Sequence, residues 1–220
     1  MNTLIWYINN ILRHLVQMLP CMAVMLIVWT AIRPVRLRRM ARCGWYSTKS
    51  REAVLVLYIL FCTGLCALTL FPYGFWEEYL RMFSEPGYSP HVSFPSLEDG
   101  LRALRELPGS ITPFREILRV NHGGPWLWFV LWGNIGMFVP VGFGLPMLWR
   151  KIRLYHAVLF GGGFSFLIEL TQVFTGRVSD IDDLILNTAG AILGFLLYCT
   201  FCKVIPLEWE LFHCQEKEAV

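Results

Sequence analysis

Polar side chains that could do chemistry are concentrated between residues 134 and 187. Carboxylates that differ in burial can divide the roles of general acid and general base, and their oxygens can also hold a hard divalent cation. A guanidinium group beside carboxamides can bind an anionic or amide-bearing headgroup. The residues concerned are Asn134, Glu169, Gln172, Arg177, Asp180, Asp182, Asp183 and Asn187.

Each of these roles has its own candidates. Glu169, Asp180 and Asp183 are the candidate catalytic acids and bases, and the same three carboxylates would be the metal ligands if a divalent cation bound. No other cofactor is expected. The candidate ligand-binding residues are Asn134, Glu169, Gln172, Arg177, Asp180, Asp183 and Asn187.

The same residues also have structural interpretations. The aspartates of segment 180–183 open a helix, where carboxylates cap free N–H groups and favour the positive end of the helix dipole. Glu169 and Arg177 could form an ion pair across a hairpin, and Asn134 and Asn187 could hydrogen-bond between helices. These interpretations do not explain why so many polar groups share one side of three helices. The opposite ends of the helices are expected to carry nothing comparable.

The elements that hold these residues are apolar enough to cross a membrane. Hydrophobic residues make up 55% of the 220 residues and charged residues 16%, with a mean hydropathy of +0.50. About a quarter of an ordinary soluble domain is charged. A bilayer core about 30 Å thick requires roughly 20 apolar helical residues. The sequence therefore predicts an all-α polytopic bundle forming one membrane domain, with five spans at about 15–32, 53–71, 126–149, 154–174 and 184–202.

Four of these spans contain no charged residue, and the fourth contains only Glu169. A charge near the centre of a span costs roughly 2.5 to 3.5 kcal/mol on insertion scales. Glu169 therefore requires a structural or functional reason. Because Glu169 and Gln172 are three residues apart, they share one helical face.

The distribution of lysine and arginine predicts the orientation of the bundle. Positive residues are retained on the cytoplasmic side of a membrane, and segment 33–51 contains seven of them while segment 150–153 contains three. Both segments should be cytoplasmic, which places the N-terminus outside and the C-terminus inside. Twelve positive residues are then inside and seven outside. The polar residues described above would lie on the outer side.

Two spans have features that predict a central position. The third contains Pro140 and Pro146 among several glycines, so we expect a kinked or locally unwound helix that neighbouring protein must cover. The fifth carries Gly190 and Gly194, which form a small-residue face that allows close helix approach, with Asn187 on the same side. Both helices should pack inside the bundle.

The extracytoplasmic segment 72–125 has 54 residues and is too long for a simple turn. Ser96 is a predicted N-cap for a short helix, which Pro108 and Gly109 should end. Residues 85–95 contain three prolines and predict an extended arm.

Several other classes of protein are disfavoured. A net charge of +3 is too small for a nucleic-acid binder, and the basic residues are explained by membrane orientation. The sequence has no P-loop, zincin or nucleophile-elbow motif, and its five histidines are scattered. The expected partners are membrane lipids.

The segment from Asn134 to Gly194 resembles the signature of the VanZ-like family of bacterial membrane proteins. Pro113 and Phe114 also resemble the pair that the family places before this region, so the signature region extends over about 110–200. The match consists of the run Asn-Ile-Gly-Met-Phe-Val-Pro-Val-Gly-Phe from Asn134, followed by Ser165, Glu169, Gln172, Arg177, Asp180, Asp182, Asp183, Asn187 and Gly190.

The resemblance implies action at the outer face of the cytoplasmic membrane of Gram-positive bacteria. The family's founding member accompanies glycopeptide-resistance genes and is associated with resistance to teicoplanin, which carries a fatty-acyl chain, more than to vancomycin. No established catalytic mechanism comes with the family. We therefore expect a protein that lowers lipoglycopeptide susceptibility by binding an acyl-bearing ligand. The alternatives are a membrane enzyme that acts on lipid-linked cell-envelope precursors through the outer carboxylates, and a structural partner protein.

Overall fold

The computed structural model of the protein is almost entirely helical over the residues that it describes. These are residues 3–72, 74–91, 95–110, 113–114, 118, 124–175, 181–205 and 209–216. The strands in these ranges are β1 (Trp45–Tyr46) and β2 (Gln215–Glu216), and a short 3-10 helix spans Trp209–Phe212. The α-helices are α1 (Thr3–Arg42), α2 (Lys49–Leu70), α3 (Phe75–Ser84), α4 (Leu97–Ser110), α5 (Gly124–Leu148), α6 (Leu154–Phe174) and α7 (Ile181–Val204).

Five of these helices, α1, α2, α5, α6 and α7, are long and apolar enough to cross a membrane. The two strands are only two residues long each and do not alter the fold class. The prediction of an all-α multi-pass bundle with five spans is therefore confirmed. The qualifying stretches are Leu12–Arg42, Lys49–Leu70, Leu127–Leu148, Leu154–Phe174 and Ile181–Val204.

The first helix is longer than predicted. α1 continues without a break through Pro34 and the basic residues that follow it, as far as Arg42. Its 40 residues measure roughly 60 Å at 1.5 Å per residue, about twice the thickness of a hydrocarbon core. The basic segment 33–51, which joins the first two predicted spans, is therefore mostly helical. Many of its arginines extend from the end of a helix beyond the apolar stretch.

The third span is helical throughout, although it contains Pro140 and Pro146. Of the two predicted alternatives, local unwinding is therefore not seen, and a kink stays a prediction. A proline removes one hydrogen bond of the helix, and the last carbonyls of a helix also lack internal partners. Two carbonyls of α5, one in the helix interior and one in its last turn, are also contacted by side chains of other elements. The Tyr58 hydroxyl donates to the Val141 carbonyl at 3.1 Å, and His213 Nε2 lies 3.1 Å from the Pro146 carbonyl oxygen.

Glycines allow α5 and α7 to pack with their backbones close together. A methyl group at Gly190 would lie 2.2 Å from the Ile135 carbonyl oxygen, and one at Gly194 would lie 2.0 Å from the Val139 carbonyl oxygen. Gly142 on α5 approaches the backbone of α7 in the same way. The predicted small-residue face of the fifth span is thus buried against α5, and this contact positions the polar residues on both helices.

α1 and α2 form an antiparallel pair that polar contacts fix at both ends. At one end, Gln17 Nε2 donates to the Phe71 carbonyl at 3.1 Å. At the other end, Arg33 Nε lies 3.1 Å from a carboxylate oxygen of Glu52. Between them, methionine side chains of α1 cover Gly64 of α2. This register shows which residues of the two helices lie at the same depth.

The segment after α2 begins with a helix that the sequence did not predict, α3. Its Glu78 carboxylate accepts hydrogen bonds from the Tyr88 hydroxyl at 2.7 Å and from the His91 N–H at 3.1 Å. The hydrogen bond from Tyr88 has the larger effect, and together the two bonds hold the pKa of Glu78 below its usual value. Residues 85–91 have neither helix nor strand, as the predicted arm requires, but they fold back on α3. Positions 92–94 lie outside the described residues.

α4 begins as predicted and ends later than predicted. The Ser96 hydroxyl accepts a hydrogen bond from the Asp99 N–H at 3.2 Å and donates to the Asp99 carboxylate at 2.6 Å. The bond to the carboxylate lowers the pKa of Asp99. Pro108 and Gly109 do not stop the helix, which extends to Ser110. α4 packs against the end of α6.

The residues after α7 fold back on the other end of the bundle. β2 pairs antiparallel with β1, and the Thr48 hydroxyl binds the Leu211 carbonyl. Arg150, just after α5, lies 3.3 Å from a carboxylate oxygen of Glu210. These contacts join the C-terminal residues to the starts and ends of α2 and α5.

Candidate functional site

Helices α5, α6 and α7 bring the described members of the predicted site to one end of the bundle, which we call the polar end. Arg177 and Asp180 lie outside the described residues, and their roles stay predictions. The described members are Asn134 on α5, Glu169 and Gln172 on α6, and Asp183 and Asn187 on α7.

Asp183 joins α7 to α5. Because α7 begins at Ile181, Asp183 lies in the first turn, where backbone N–H groups are free and the helix dipole favours a negative charge. Its Oδ1 atom accepts a hydrogen bond from Asn134 Nδ2. A hydrogen bond to an ionised acceptor is stronger than one between neutral groups. The pair therefore fixes the orientation of both side chains between the two helices.

A second hydrogen bond joins α7 to α6 one turn further along. Asn187 Nδ2 donates to Ser165 Oγ at 2.9 Å. Both side chains are buried, with Ser165 fully inaccessible. The remaining oxygen of the amide, Asn187 Oδ1, is buried without a hydrogen-bond partner among the described residues. An unfilled buried acceptor costs about 1 to 3 kcal/mol, so a donor placed there would be stabilised.

Gln172 connects α6 with α2. Its Nε2 atom donates to the Thr69 carbonyl at 3.0 Å, and only 8% of the residue is exposed. Gln172 Oε1 is a second buried acceptor that has no partner within the described part of the chain. The sequence did not predict that α2 reaches this site, because a backbone carbonyl carries no signature in the sequence.

Glu169 lies on the same face of α6 as Ser165 and Gln172, about one helical turn from each. It is 6% exposed and has an interaction partner. A buried carboxylate requires hydrogen bonds or an opposite charge, because desolvation disfavours its ionised form. Its position places a titratable group between the hydroxyl and the amide on that face. The predicted ion pair with Arg177 remains a prediction, since that residue is not described.

Asp182 holds the segment that precedes α5. Its side chain is completely buried, and its Oδ1 atom accepts a hydrogen bond from the Phe114 N–H at 2.5 Å. Phe114 has a φ of 65°, in the left-handed region that residues other than glycine seldom adopt. The Asp182 carboxylate, at the start of α7, thus anchors the backbone of Phe114 in an uncommon conformation. Asp182 is one of the polar residues recognised from the sequence but is not in the predicted binding set. The resemblance at Pro113 and Phe114 is the sequence signal for this contact.

The described residues contain no group of three or more His, Cys, Asp or Glu side chains that could hold a metal ion. Two of the three predicted cation ligands, Glu169 and Asp183, are described, and the third, Asp180, is not. Binding of a divalent cation therefore stays a prediction.

The opposite end of the bundle carries a second charged cluster, which lies on α1 and α2 rather than on the three helices that hold the polar end. We call it the arginine cluster, and its end the basic end. Glu52, 6% exposed, lies 3.1 Å from Arg33 and 3.9 Å from Arg51 and also binds Arg36. Ser47 donates to the same carboxylate at 2.5 Å. From the sequence, these arginines are predicted only to set the orientation in the membrane, and Glu52 lies just outside the predicted span 53–71.

An apolar groove of about 590 Å³ lies between α1, α2 and α5. Its lining includes Met18 and Met22 of α1, Val54 and Leu57 of α2, and Phe143 of α5. None of the predicted site residues that the structure describes lines it. The groove and the polar end are thus separate features of the bundle.

Part of the chain, from α2 to α7, matches a known protein family. Residues 55–203, more than half of the chain, match the family model described as VanZ/LLP1. The chain belongs to the VanZ/LLP1 family. No curated protein and no solved structure matches it.

The VanZ/LLP1 match begins within α2 and ends near the end of α7. It therefore includes the polar end, with Thr69, Ser165 and every predicted site residue. It leaves out α1, the arginine cluster and the C-terminal residues that fold back on the basic end.

Proposed function

We propose that this VanZ/LLP1 protein lies in the cytoplasmic membrane of a Gram-positive bacterium and lowers its susceptibility to lipoglycopeptides such as teicoplanin. It would do so by binding an acyl-bearing ligand at its polar end, which faces outwards. Membership of the VanZ/LLP1 family and the five apolar helices support this proposal.

The observation that carries the proposal is the buried, incompletely satisfied polar end. Gln172 Oε1 and Asn187 Oδ1 are both buried acceptors without partners among the described residues. Peptide N–H groups and sugar hydroxyls are donors that would satisfy them. A ligand with an amide- or sugar-bearing headgroup therefore suits this end of the bundle.

An amphiphilic ligand also needs apolar surface beside its headgroup. α3 follows α2 closely at the polar end. It exposes Leu80, Met82 and Phe83, and the exposed fraction of Phe83 is 87%. Exposed apolar side chains of this kind, on a strongly amphipathic helix, suit the boundary between headgroups and acyl chains. The arrangement supports binding of a molecule that carries both a polar group and an acyl chain.

The proposed orientation rests on charge. Most of the arginines of segment 33–51 and the basic residues of segment 150–153 project from the basic end, and the positive-inside rule places that end in the cytoplasm. The polar end then faces outwards, where a glycopeptide or an envelope precursor would meet it.

The proposal is tested by drug susceptibility in a Gram-positive host. The host carries the wild-type protein, Glu169→Gln, Glu169→Ala or the control Glu77→Gln, which makes the same change at an exposed residue of α3. We expect the wild type and the control to raise the inhibitory concentration of teicoplanin and not that of vancomycin. Glu169→Gln should keep part of the effect because it keeps shape and hydrogen bonding, while Glu169→Ala should lose it. Membrane levels are matched by immunoblot.

The other outcomes separate the alternatives. A Glu169→Gln protein that is folded and has lost all effect would favour an enzyme that uses this carboxylate on envelope precursors. Loss of monodisperse protein in both variants would favour a purely structural network. If the wild-type protein changed the inhibitory concentration of neither drug, the proposed role in resistance would be wrong.

A further inference from the structure

The arginine cluster (Arg33, Arg36, Arg51 and Glu52) contains more positive than negative charge. Three guanidinium groups lie within 4 Å of one carboxylate, so three positive charges face a single negative charge. Arg51 is almost completely buried, with a side chain only 4% exposed. Buried charges are stable only when they are paired and hydrogen-bonded. The cluster therefore favours an additional anion.

Two hydrogen-bond donors of the cluster are unused. The Nε atoms of Arg36 and Arg51 are buried and have no acceptor among the residues that the structure describes. The Arg36 guanidinium is already held in place, 5.1 Å above the ring of Trp29 and with Nη1 3.3 Å from Met40 Sδ. Arg33 is 46% exposed, so the cluster can be reached from outside the protein. Guanidinium groups arranged in this way suit the oxygens of a phosphate.

The apolar groove begins beside this cluster. Val54, at one end of its lining on α2, follows Arg51 by three residues. Met18 and Met22, which line it on α1, lie against Gly64. The ten residues from Val54 to Gly64 measure roughly 15 Å along α2, which is half of a hydrocarbon core about 30 Å thick. The groove therefore has the length of an acyl chain in one leaflet.

The groove is also open to the membrane and suited to a flexible chain. Leu57 is 64% exposed and Leu19 56% exposed, and both line it. The lining is almost entirely apolar, and methionine side chains adapt to irregular apolar partners. An acyl chain satisfies such a surface, whereas a soluble anion alone would leave it unoccupied.

From this juxtaposition we propose that the basic end binds an anionic phospholipid. The phosphate lies at the guanidinium groups of Arg33 and Arg36, and one acyl chain lies in the groove between α1, α2 and α5. A zwitterionic phospholipid fits less well because its own cation would remain among the arginines. Since the site uses α1 and the basic end, it is independent of the ligand proposed for the polar end.

The proposal is tested on the purified full-length protein in a neutral detergent. The protein is titrated with dioleoylphosphatidylglycerol or with dioleoylphosphatidylcholine, two lipids that have the same acyl chains. The measurements are the thermal unfolding midpoint and the number of bound lipids, which native mass spectrometry counts. We expect saturable binding of the anionic lipid at a mole fraction about five-fold or more below that of the zwitterionic lipid, since one basic contact is worth about 1 kcal/mol. Equal binding of the two lipids would overturn the proposal.

Two matched pairs of variants locate the site. Arg33→Gln should reduce the preference for the anionic lipid about five-fold, whereas Arg38→Gln, which removes the same charge from an exposed position on the same helix, should change it little. Leu57→Trp should block the groove and weaken binding, while Leu159→Trp, at a residue of α6 that is 70% exposed and does not line the groove, should not.

The same comparisons give the contrary outcomes. An equal loss for Arg33→Gln and Arg38→Gln would mean diffuse attraction to positive charge, with no built site. Unchanged binding to Leu57→Trp would exclude the groove, and this arm remains informative if Arg33→Gln does not fold. Inorganic phosphate without lipid, at matched ionic strength, should not reproduce the stabilisation; if it does, the ligand is a free anion and the lipid proposal is wrong.

Discussion

Each side-chain pair at the polar end joins two different helices, and this determines what substitutions there will do. Asn134 pairs with Asp183 across α5 and α7, and Ser165 pairs with Asn187 across α6 and α7. Polar contacts of this kind between membrane helices contribute on average about 0.6 kcal/mol and up to about 1.7 kcal/mol. They are strong enough to align helices but too weak to explain the bundle without close packing.

The members of this set could be predicted from the sequence because polar residues in apolar spans stand out. Their pairing could not. Which amide meets which carboxylate depends on the depth and rotation of separate helices, and contacts such as Gln172 to the Thr69 carbonyl involve backbone that any residue could supply. The roles of Arg177 and Asp180 remain predictions because these two residues lie outside the described part of the chain.

A double-mutant cycle on Ser165 and Asn187 tests the buried pair. Ser165→Ala leaves the Asn187 amide without its acceptor and should lower the free energy of unfolding by about 1 to 2 kcal/mol, and Asn187→Leu should have a similar effect. The double variant should lose less than the sum, by about 0.5 kcal/mol or more, because no polar group is then left unpaired. Denaturation by sodium dodecyl sulfate in mixed micelles measures all four proteins. Additive losses would show that the hydrogen bond contributes nothing.

At the scale of the helices, hydropathy predicted the spans correctly and the helix ends poorly. An apolar stretch identifies the part of a helix that lies in lipid, but it carries no information on how far the helix continues into water. α1 therefore extends through Arg42, past its predicted end near residue 32. α4 continues past Pro108, and its packing against α6 is a tertiary contact that can override the local preference to end the helix. α3 was missed because its apolar residues are too few for a span.

Substitution of glycines tests the contact between α5 and α7. At Gly194 a methyl group would lie 2.0 Å from the Val139 carbonyl oxygen, and backbone cannot move aside as a flexible side chain can. Gly194→Ala should therefore lower the free energy of unfolding by about 1 to 3 kcal/mol. Gly163→Ala on α6, where nothing lies within 4 Å, should leave it unchanged or raise it by up to about 1 kcal/mol. Equal effects in thermal unfolding monitored by size-exclusion chromatography would mean that α5 and α7 are not in backbone contact.

On the scale of the whole molecule, the two ends of the bundle differ in their chemistry. The polar end combines carboxylates with amides, while the basic end combines arginines with a single buried glutamate. Counting charges could predict this asymmetry and the orientation that it implies. It could not predict that Glu52 gathers three arginines, since that requires α1 and α2 to pair in one particular register. The return of the C-terminal residues to the basic end likewise depends on tertiary contacts.

The orientation itself gives a prediction for the intact cell. In a background with the seven native cysteines replaced, Glu77→Cys places a thiol on α3 near the polar end, and Lys151→Cys places one between α5 and α6 at the basic end; both positions are exposed. A membrane-impermeant maleimide should label Glu77→Cys in intact cells and Lys151→Cys only after lysis, because positive residues remain in the cytoplasm. Cells stripped of their wall but with an intact membrane serve as the control that the maleimide does not cross the membrane. If only Lys151→Cys were labelled in intact cells, the true topology would be the reverse of the predicted one. The polar end would then lie in the cytoplasm, where it could not meet an extracellular glycopeptide.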